Sequence, residues 1–131
     1  MSAEAALQTA IYDTLEAGQS AVVFAQSDVP DNFVGRYVVI GNDTLIEWDT
    51  DGRTGFEATI TIHTWDSTAE NRSYLPLKGI MGDIYNLLHR AEVPITGYNT
   101  VGIDFEFSET YLDPDGLTRH GIQRFRVYMR G

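Results

Sequence analysis

A chain of 131 residues with 19 acidic and nine basic side chains carries a formal net charge of -10, and its 43% hydrophobic and 11% aromatic content is enough to bury a core. That length reads as one domain over residues 1–131, and the composition excludes a disordered tail or a two-domain enzyme. The absence of cysteine excludes disulfides, thiolate catalysis and Cys-based zinc sites, while the negative charge opposes binding to phosphate backbones.

The N-terminus has neither a basic flank nor an apolar run, and nowhere do ~18 apolar residues follow one another, so the sequence predicts no signal peptide and no membrane span. Ser2 suits an N-cap, and Ala3, Ala6, Leu7, Ala10, Ile11 and Leu15 recur at helical spacing until Gly18, which suits a C-terminal cap. Residues 21–25 form a brief apolar run that suits a strand, and residues 26–35 read as a loop. Residues 36–41, Arg-Tyr-Val-Val-Ile-Gly, are nearly continuous in apolar character and predict a central strand covered on both faces. Residues 42–48 read as a second strand, followed by a turn-rich stretch from Asp49 to Gly55.

The clearest strand is 56–65. Phe56, Ala58, Ile60, Ile62 and Thr64 alternate with Glu57, Thr59, Thr61, His63 and Trp65, which places the apolar set on one face. Residues 66–72 are polar. From Tyr74 onward, Leu77, Ile80, Met81, Ile84, Leu87 and Leu88 predict a second amphipathic helix with Pro76 in its first turn. Gly79 and Gly82 each cost that helix about 1 kcal/mol against alanine, and the expected reason is close approach to the sheet rather than to a neighbouring subunit.

Val101, Ile103, Phe105 and Phe107 alternate with polar residues, as do Phe125, Val127 and Met129 within 121–130. Asp113-Pro114-Asp115-Gly116 between them predicts a hairpin. A two-residue loop would set Phe105 beside Arg124 on the core face, so an odd-numbered loop or a bulge is required. Partner numbers summing to 230 pair Phe105 with Phe125 and Ile103 with Val127, and set Asp104 against Arg126 and Glu106 against Arg124. The fold class is therefore α+β, with two helices packed on one mostly antiparallel β-sheet and a C-terminal hairpin.

Motifs for chemistry are missing. The two Asp-x-Asp-Gly tracts, 49–52 and 113–116, lack the terminal glutamate of a calcium loop and read as turns. His63, His89 and His120 have no zinc-ligand spacing; His89 and Arg90 suit a cationic helix C-terminus. No serine lies in a nucleophile elbow, no phosphate-binding glycine loop occurs, and Asp104 and Glu106 sit on a polar strand face where solvated acids are ordinary. The sequence thus offers no catalytic residue, metal site or cofactor site, and points to work done by surfaces, with Phe33, Tyr98 and Tyr111 as loop aromatics able to anchor a contact.

Charge supplies the candidate surface. Residues 117–131 hold Arg119, Arg124, Arg126 and Arg130 and no acid, a local +4, whereas residues 1–116 carry -14. These arginines either pair with carboxylates inside the sheet or form a seam between subunits, with Asp113 and Asp115 on a rim loop.

Several segments in order, Ala6-Leu7-Gln8, Tyr37-Val38-Val39-Ile40-Gly41, Ile62-His63-Thr64-Trp65, the helix carrying Ile80 to Leu88-His89, and Leu112-Asp113-Pro114-Asp115-Gly116-Leu117-Thr118-Arg119-His120-Gly121 before Arg124-Phe125-Arg126, resemble the small tail completion proteins of long-tailed bacteriophages and gene transfer agents. That group includes tail terminators and head-to-tail joining proteins. The sequence departs from it at residues 28–34, where members usually have a shorter segment. The resemblance implies a non-catalytic virion protein, made in the host cytoplasm, that forms a homo-hexameric ring on the tail tube and stops its polymerisation. Its implied partners are itself, the tail tube protein and a head-side connector or stopper protein, with genome DNA passing unbound and no membrane involved. Another neck protein, such as a stopper or adaptor, and a monomeric acidic binding module or small enzyme are the alternatives.

Overall fold

The computed structural model describes residues 2–25, 29–68 and 73–131. In chain order it contains α1 (Ala3–Gly18), β1 (Val22–Ala25), β2 (Arg36–Glu47), β3 (Gly55–Asp66), α2 (Leu75–Leu88), β4 (Asn99–Leu112) and β5 (Arg119–Arg130). The strands form one sheet in the order β1-β2-β3-β5-β4, antiparallel except where β1 lies parallel to β2. This is the expected α+β architecture with a C-terminal hairpin. Parts of the expected loop 26–35 and of the polar stretch 66–72 lie outside the described residues.

Both helices pack on one face of the sheet. Ser2 Oγ accepts from Ala5 N at 3.2 Å and starts α1, whose buried stripe is the set expected from its spacing, Ala3, Ala6, Leu7, Ala10, Ile11 and Leu15. Leu77, Ile80, Met81, Ile84 and Leu88 form the corresponding stripe of α2, which begins with Pro76 in its first turn. Beneath them lie Val23, Val38, Ile40, Ala58, Ile60, Ile62, Ile103, Phe125, Val127 and Met129, alternating residues of all five strands. No helix among the described residues is long and apolar enough to cross a membrane.

Several expectations need correction. Residues 36–47 are one strand, with an irregularity between Gly41 and Thr44 where two strands were expected. That strand is interior but lies one place from the centre, which β3 occupies. Among the described residues Gly79 and Gly82 approach nothing: both are exposed, and an added Cβ would meet no described atom within 4 Å. The close approach belongs to Gly18, where a Cβ would run into Leu87 of α2. Gly18 is not a left-handed cap either. Gln19 follows it in an extended conformation and ties the helix end, donating from Nε2 to Leu15 O at 3.0 Å and Ala21 O at 2.6 Å.

His89 is the C-cap of α2 through its backbone N–H, which donates to Tyr85 O at 2.9 Å, while its side-chain Nδ1 accepts a 3.1 Å hydrogen bond from Phe105 N of β4, so the ring ties the helix end to the sheet where a cation beside the last carbonyls was expected. Tyr111 is a strand residue of β4 rather than a loop residue, and β5 begins at Arg119, two residues earlier than expected.

The hairpin settles its parity with a bulge. Ile103 pairs with Val127 and Phe105 with Phe125 as expected, and then the register slips between Phe105 and Phe107. Glu106 is the extra residue. Arg124 consequently faces Phe107, in place of the expected Glu106, and the loop 113–118 has an even length.

Candidate subunit and partner interface

Among the described residues no helix covers the outer face of the sheet. Along β5 the odd-numbered residues point to the helices and the even-numbered ones to the open face, so the four candidate arginines do not gather into one patch. Arg124 and Arg126 are neighbours on the open face. Arg126 donates from Nη1 to Glu57 Oε1 at 2.6 Å and from Nε to Glu106 Oε2 at 3.0 Å. Arg124 Nε lies 2.9 Å from Glu106 Oε1 as an ion pair whose hydrogen-bond alignment is poor. The bulge thus leaves Glu106 between two arginines, and the hydrogen bonds that Arg126 donates to Glu106 and Glu57 hold its guanidinium more firmly protonated than usual. Asp104 is the backbone partner of Arg126, yet the ion pairs go to Glu57 and Glu106.

Arg119 and Arg130 lie at opposite ends of β5. Arg119 is buried on the helix side, over the Tyr74 ring at 5.3 Å, with Nη1 donating to Leu117 O at 3.1 Å. Arg130 stands 5.6 Å from the Trp48 ring centre on the open face. Asp115 accepts from Leu117 N and Thr118 N, both at 2.8 Å, and from the Thr118 hydroxyl, and these hydrogen bonds hold its carboxyl below the usual range. It therefore builds the turn. Asp113 is half-buried, and burial followed by the charge of Asp115 raises its pKa; its Oδ1 lies 4.0 Å from His120 Nδ1.

The open face also holds a feature that sequence spacing missed. Register places Val22, Tyr37, Trp65, His120 and Tyr111 on one line across all five strands. Tyr37 and Trp65 stack with centroids 6.3 Å apart, Trp65 and His120 stack at 3.5 Å, and Tyr111 meets His120 edge-on at 4.8 Å. Phe24 and Phe33 pack on Tyr37 at 5.9 and 5.2 Å and extend the row, which gives Phe33 a place on the sheet. Tyr98 instead packs on Phe56 at the core margin.

Beside the row, His63 Nδ1 and His120 Nε2 are 2.8 Å apart although 57 residues separate them. Burial lowers both pKa values, and the nearby His63 helps take that of His120 down to about 4. Both rings are therefore neutral near pH 7. His63 Nδ1–H donating to His120 Nε2 leaves the His120 Nδ1–H turned toward the Asp113 carboxylate, the electrostatically favourable tautomer. The opposing parities of β3 and β5 put both histidines on the open face, but only the pairing register puts them side by side. Among the described residues no group of three or more His, Asp or Glu converges as a metal site would require.

Large exposed apolar side chains on the open face lie at its margins, Val22 on β1, Ile46 on β2, and Phe107 and Tyr111 on β4. A groove runs between α2 and β4, lined by Lys78, Met81, Tyr85, Ser108, Glu109 and Gln123 among others.

Comparison with known proteins gives a consistent answer. The family described as tail completion protein gp17 matches residues 3–130. The tail completion protein gp17 of Bacillus phage SPP1 is 26% identical over 90 residues, covering 69% of this chain and 64% of that protein's length. Among solved structures, a chain from the virion of a native gene transfer agent particle superposes with a TM-score of 0.83 at 19% identity, covering 99% of this chain and 98% of that one. The structure of SPP1 gp17 gives a TM-score of 0.62 at 24% identity, covering 95% and 89%. These two likenesses establish a shared fold.

Proposed function

The chain belongs to the gp17 family of tail completion proteins, structural components of the virion, and on that premise we propose that it closes the end of a tail tube as a ring of identical subunits. The observation that carries this reading is a match over residues 3–130, joined to a sheet with one face uncovered by helices and with unpaired stretches at its two edges among the described residues. The expected outcome of assembly is a hexamer that stops tube polymerisation and offers its other side to a head-side connector or stopper protein. Nothing in this role calls for catalysis.

Two different patches per subunit are needed for a heterologous ring. The candidate residues divide between fold and contact. Arg124 and Arg126 hold the sheet through Glu57 and Glu106, and Arg119 anchors the start of β5. Arg130 and the loop carrying Asp113 and Asp115 remain to meet a neighbour or partner, since no ion pair to a carboxylate occupies Arg130 among the described residues.

Native mass measurement of the protein bound to purified tail tubes, and electron microscopy of particles made without the gene, test this reading. Six copies per tube end and overlong or unjoined tails are expected. A single copy per end defeats the ring; tails of normal length without the protein would make it a stopper or adaptor instead.

A further inference from the structure

The sheet ends in two strands that each leave one side of the backbone unused. On β4, Arg90 N donates to Ile103 O at 2.7 Å and Phe105 N donates to His89 Nδ1, so the outer side is occupied there. Beyond the bulge, residues 107–112 have no backbone partner on that side among the described residues. Among the described residues β1 likewise pairs with β2 alone. Natural edge strands are shielded by lysine, proline, a covering segment or a bulge. Residues 107–112, Phe-Ser-Glu-Thr-Tyr-Leu, carry one charge and expose Phe107 by 45%, Tyr111 by 38% and Leu112 by 45%. β1, Val-Val-Phe-Ala, carries none and exposes Val22 by 44%.

These two edges match each other in level. The rung Val22, Tyr37, Trp65, His120, Tyr111 starts at one edge and stops at the other with a large apolar side chain exposed at each end. The next rung links Phe24, Val39, His63, Ile122 and Glu109 in the same way. β4 runs opposite to β1, so a second copy in the same orientation presents its β1 antiparallel to β4, the stronger pairing geometry.

Local charge is compatible with that occupant. α1, which packs over β1 and β2, carries Glu4, Asp13 and Glu16 and no base, whereas the groove beside β4 balances Glu109 with Lys78.

We propose that residues 107–112 of one copy pair antiparallel with β1 of the next, so that the sheet and its aromatic rung continue across the subunit boundary. The contact joins two unlike edges, so it propagates head to tail and closes only as a ring. It rests on the ring reading above and names the surfaces that make it.

The chain contains no cysteine, which makes the test clean. Val22 and Tyr111 lie four strand spacings apart within one copy, about 19 Å, well outside the ~7 Å limit on Cα separation for a disulfide. In the double variant Val22→Cys, Tyr111→Cys, any disulfide therefore joins copies. Oxidation of the variant assembled on tail tubes should give a ladder on non-reducing gels that ends at the ring's own mass, while Tyr111→Cys alone stays monomeric. A ring of normal mass without cross-links overturns the edge pairing and spares the ring; dimers from Tyr111→Cys alone show that two β4 edges meet and overturn it as well. Wild-type protein that stays monomeric on tube ends defeats both readings.

A second variant guards against misfolding. The outward groups of Ile103 and Phe105, shifted one residue by the bulge, place the Ser108, Thr110 and Leu112 N–H groups on the open side. Proline is tolerated at such a position. Thr110→Pro should keep the monomer's melting temperature within a few degrees and lower the ring population at least tenfold. Rings formed at wild-type level by this variant would overturn the proposal.

Discussion

His120 shows how one rung of the sheet makes a titratable group into a packing residue. It is 4% exposed, lies flat on Trp65, and shares a hydrogen bond with His63. Burial and the His63 ring bring its pKa down to about 4, whereas the unfolded chain binds a proton near the ordinary value of 6.5. Between those values the unfolded state holds the extra proton, so the stability present above pH 6.5 is lost as pH falls towards 4. His63, also lowered by burial, adds to the loss in the same direction. Of the groups facing the pair, Asp113 is the acid closest to His120 and lies too far for a hydrogen bond. The melting temperature should therefore fall steadily from pH 6.5 to 4.5, and His120→Phe, which keeps the ring stack, should flatten the slope. Equal slopes in the two proteins would assign the acid sensitivity elsewhere. Gly55 is a contrasting residue whose role is steric: a Cβ there would lie 2.5 Å from Trp48 O and 2.7 Å from Met129 O, and backbone cannot move aside.

α2 presents the opposite case at the scale of an element. Its exposed side carries Gly79 and Gly82 with open space above each, so neither glycine serves packing among the described residues. Gly79→Ala and Gly82→Ala should each stabilise the subunit by about 0.4 to 1 kcal/mol, read as a higher denaturant midpoint at unchanged slope. A fall in stability at either site would mean that the helix lies closer to the sheet than the structure places it. The comparison also explains what was legible in the sequence. The buried stripes of α1 and α2 and the inward set of β3 follow from local periods of 3.6 and 2, which burial enforces residue by residue. Parity also called for either an odd-numbered loop or a bulge, because both apolar faces of the hairpin had to share one side, and the structure takes the bulge. Where the extra residue goes was not legible, since moving it between neighbours preserves the pattern on either side. The same holds for the His63–His120 pair and the aromatic rung. They depend on which strands are neighbours and at what register, and β5 between β3 and β4 is a placement that no local period encodes.

At the scale of the whole molecule the charge sets two effects of opposite sign. Each copy carries -10, so six copies brought together hold about -60 and repel one another, and an acidic channel wall would let DNA pass without holding it. Against this, the +4 of residues 117–131 would attract a neighbour's acids if it were free. Most of it is not: Arg124 and Arg126 already hold Glu106 and Glu57 within the subunit, and Arg119 is buried. Repulsion should then dominate between copies, while the attraction comes from backbone hydrogen bonds and apolar contacts at the sheet edges, which salt hardly screens. Raising ionic strength from ~0.01 M to ~0.15 M shortens the screening length from about 30 to about 8 Å and should strengthen ring formation. Sedimentation of the protein across that range, with tube ends present, reads the sign directly. Rings that weaken as salt rises would return the contact to the arginines, with Arg130 and the acids of a neighbour as the pair to exchange next.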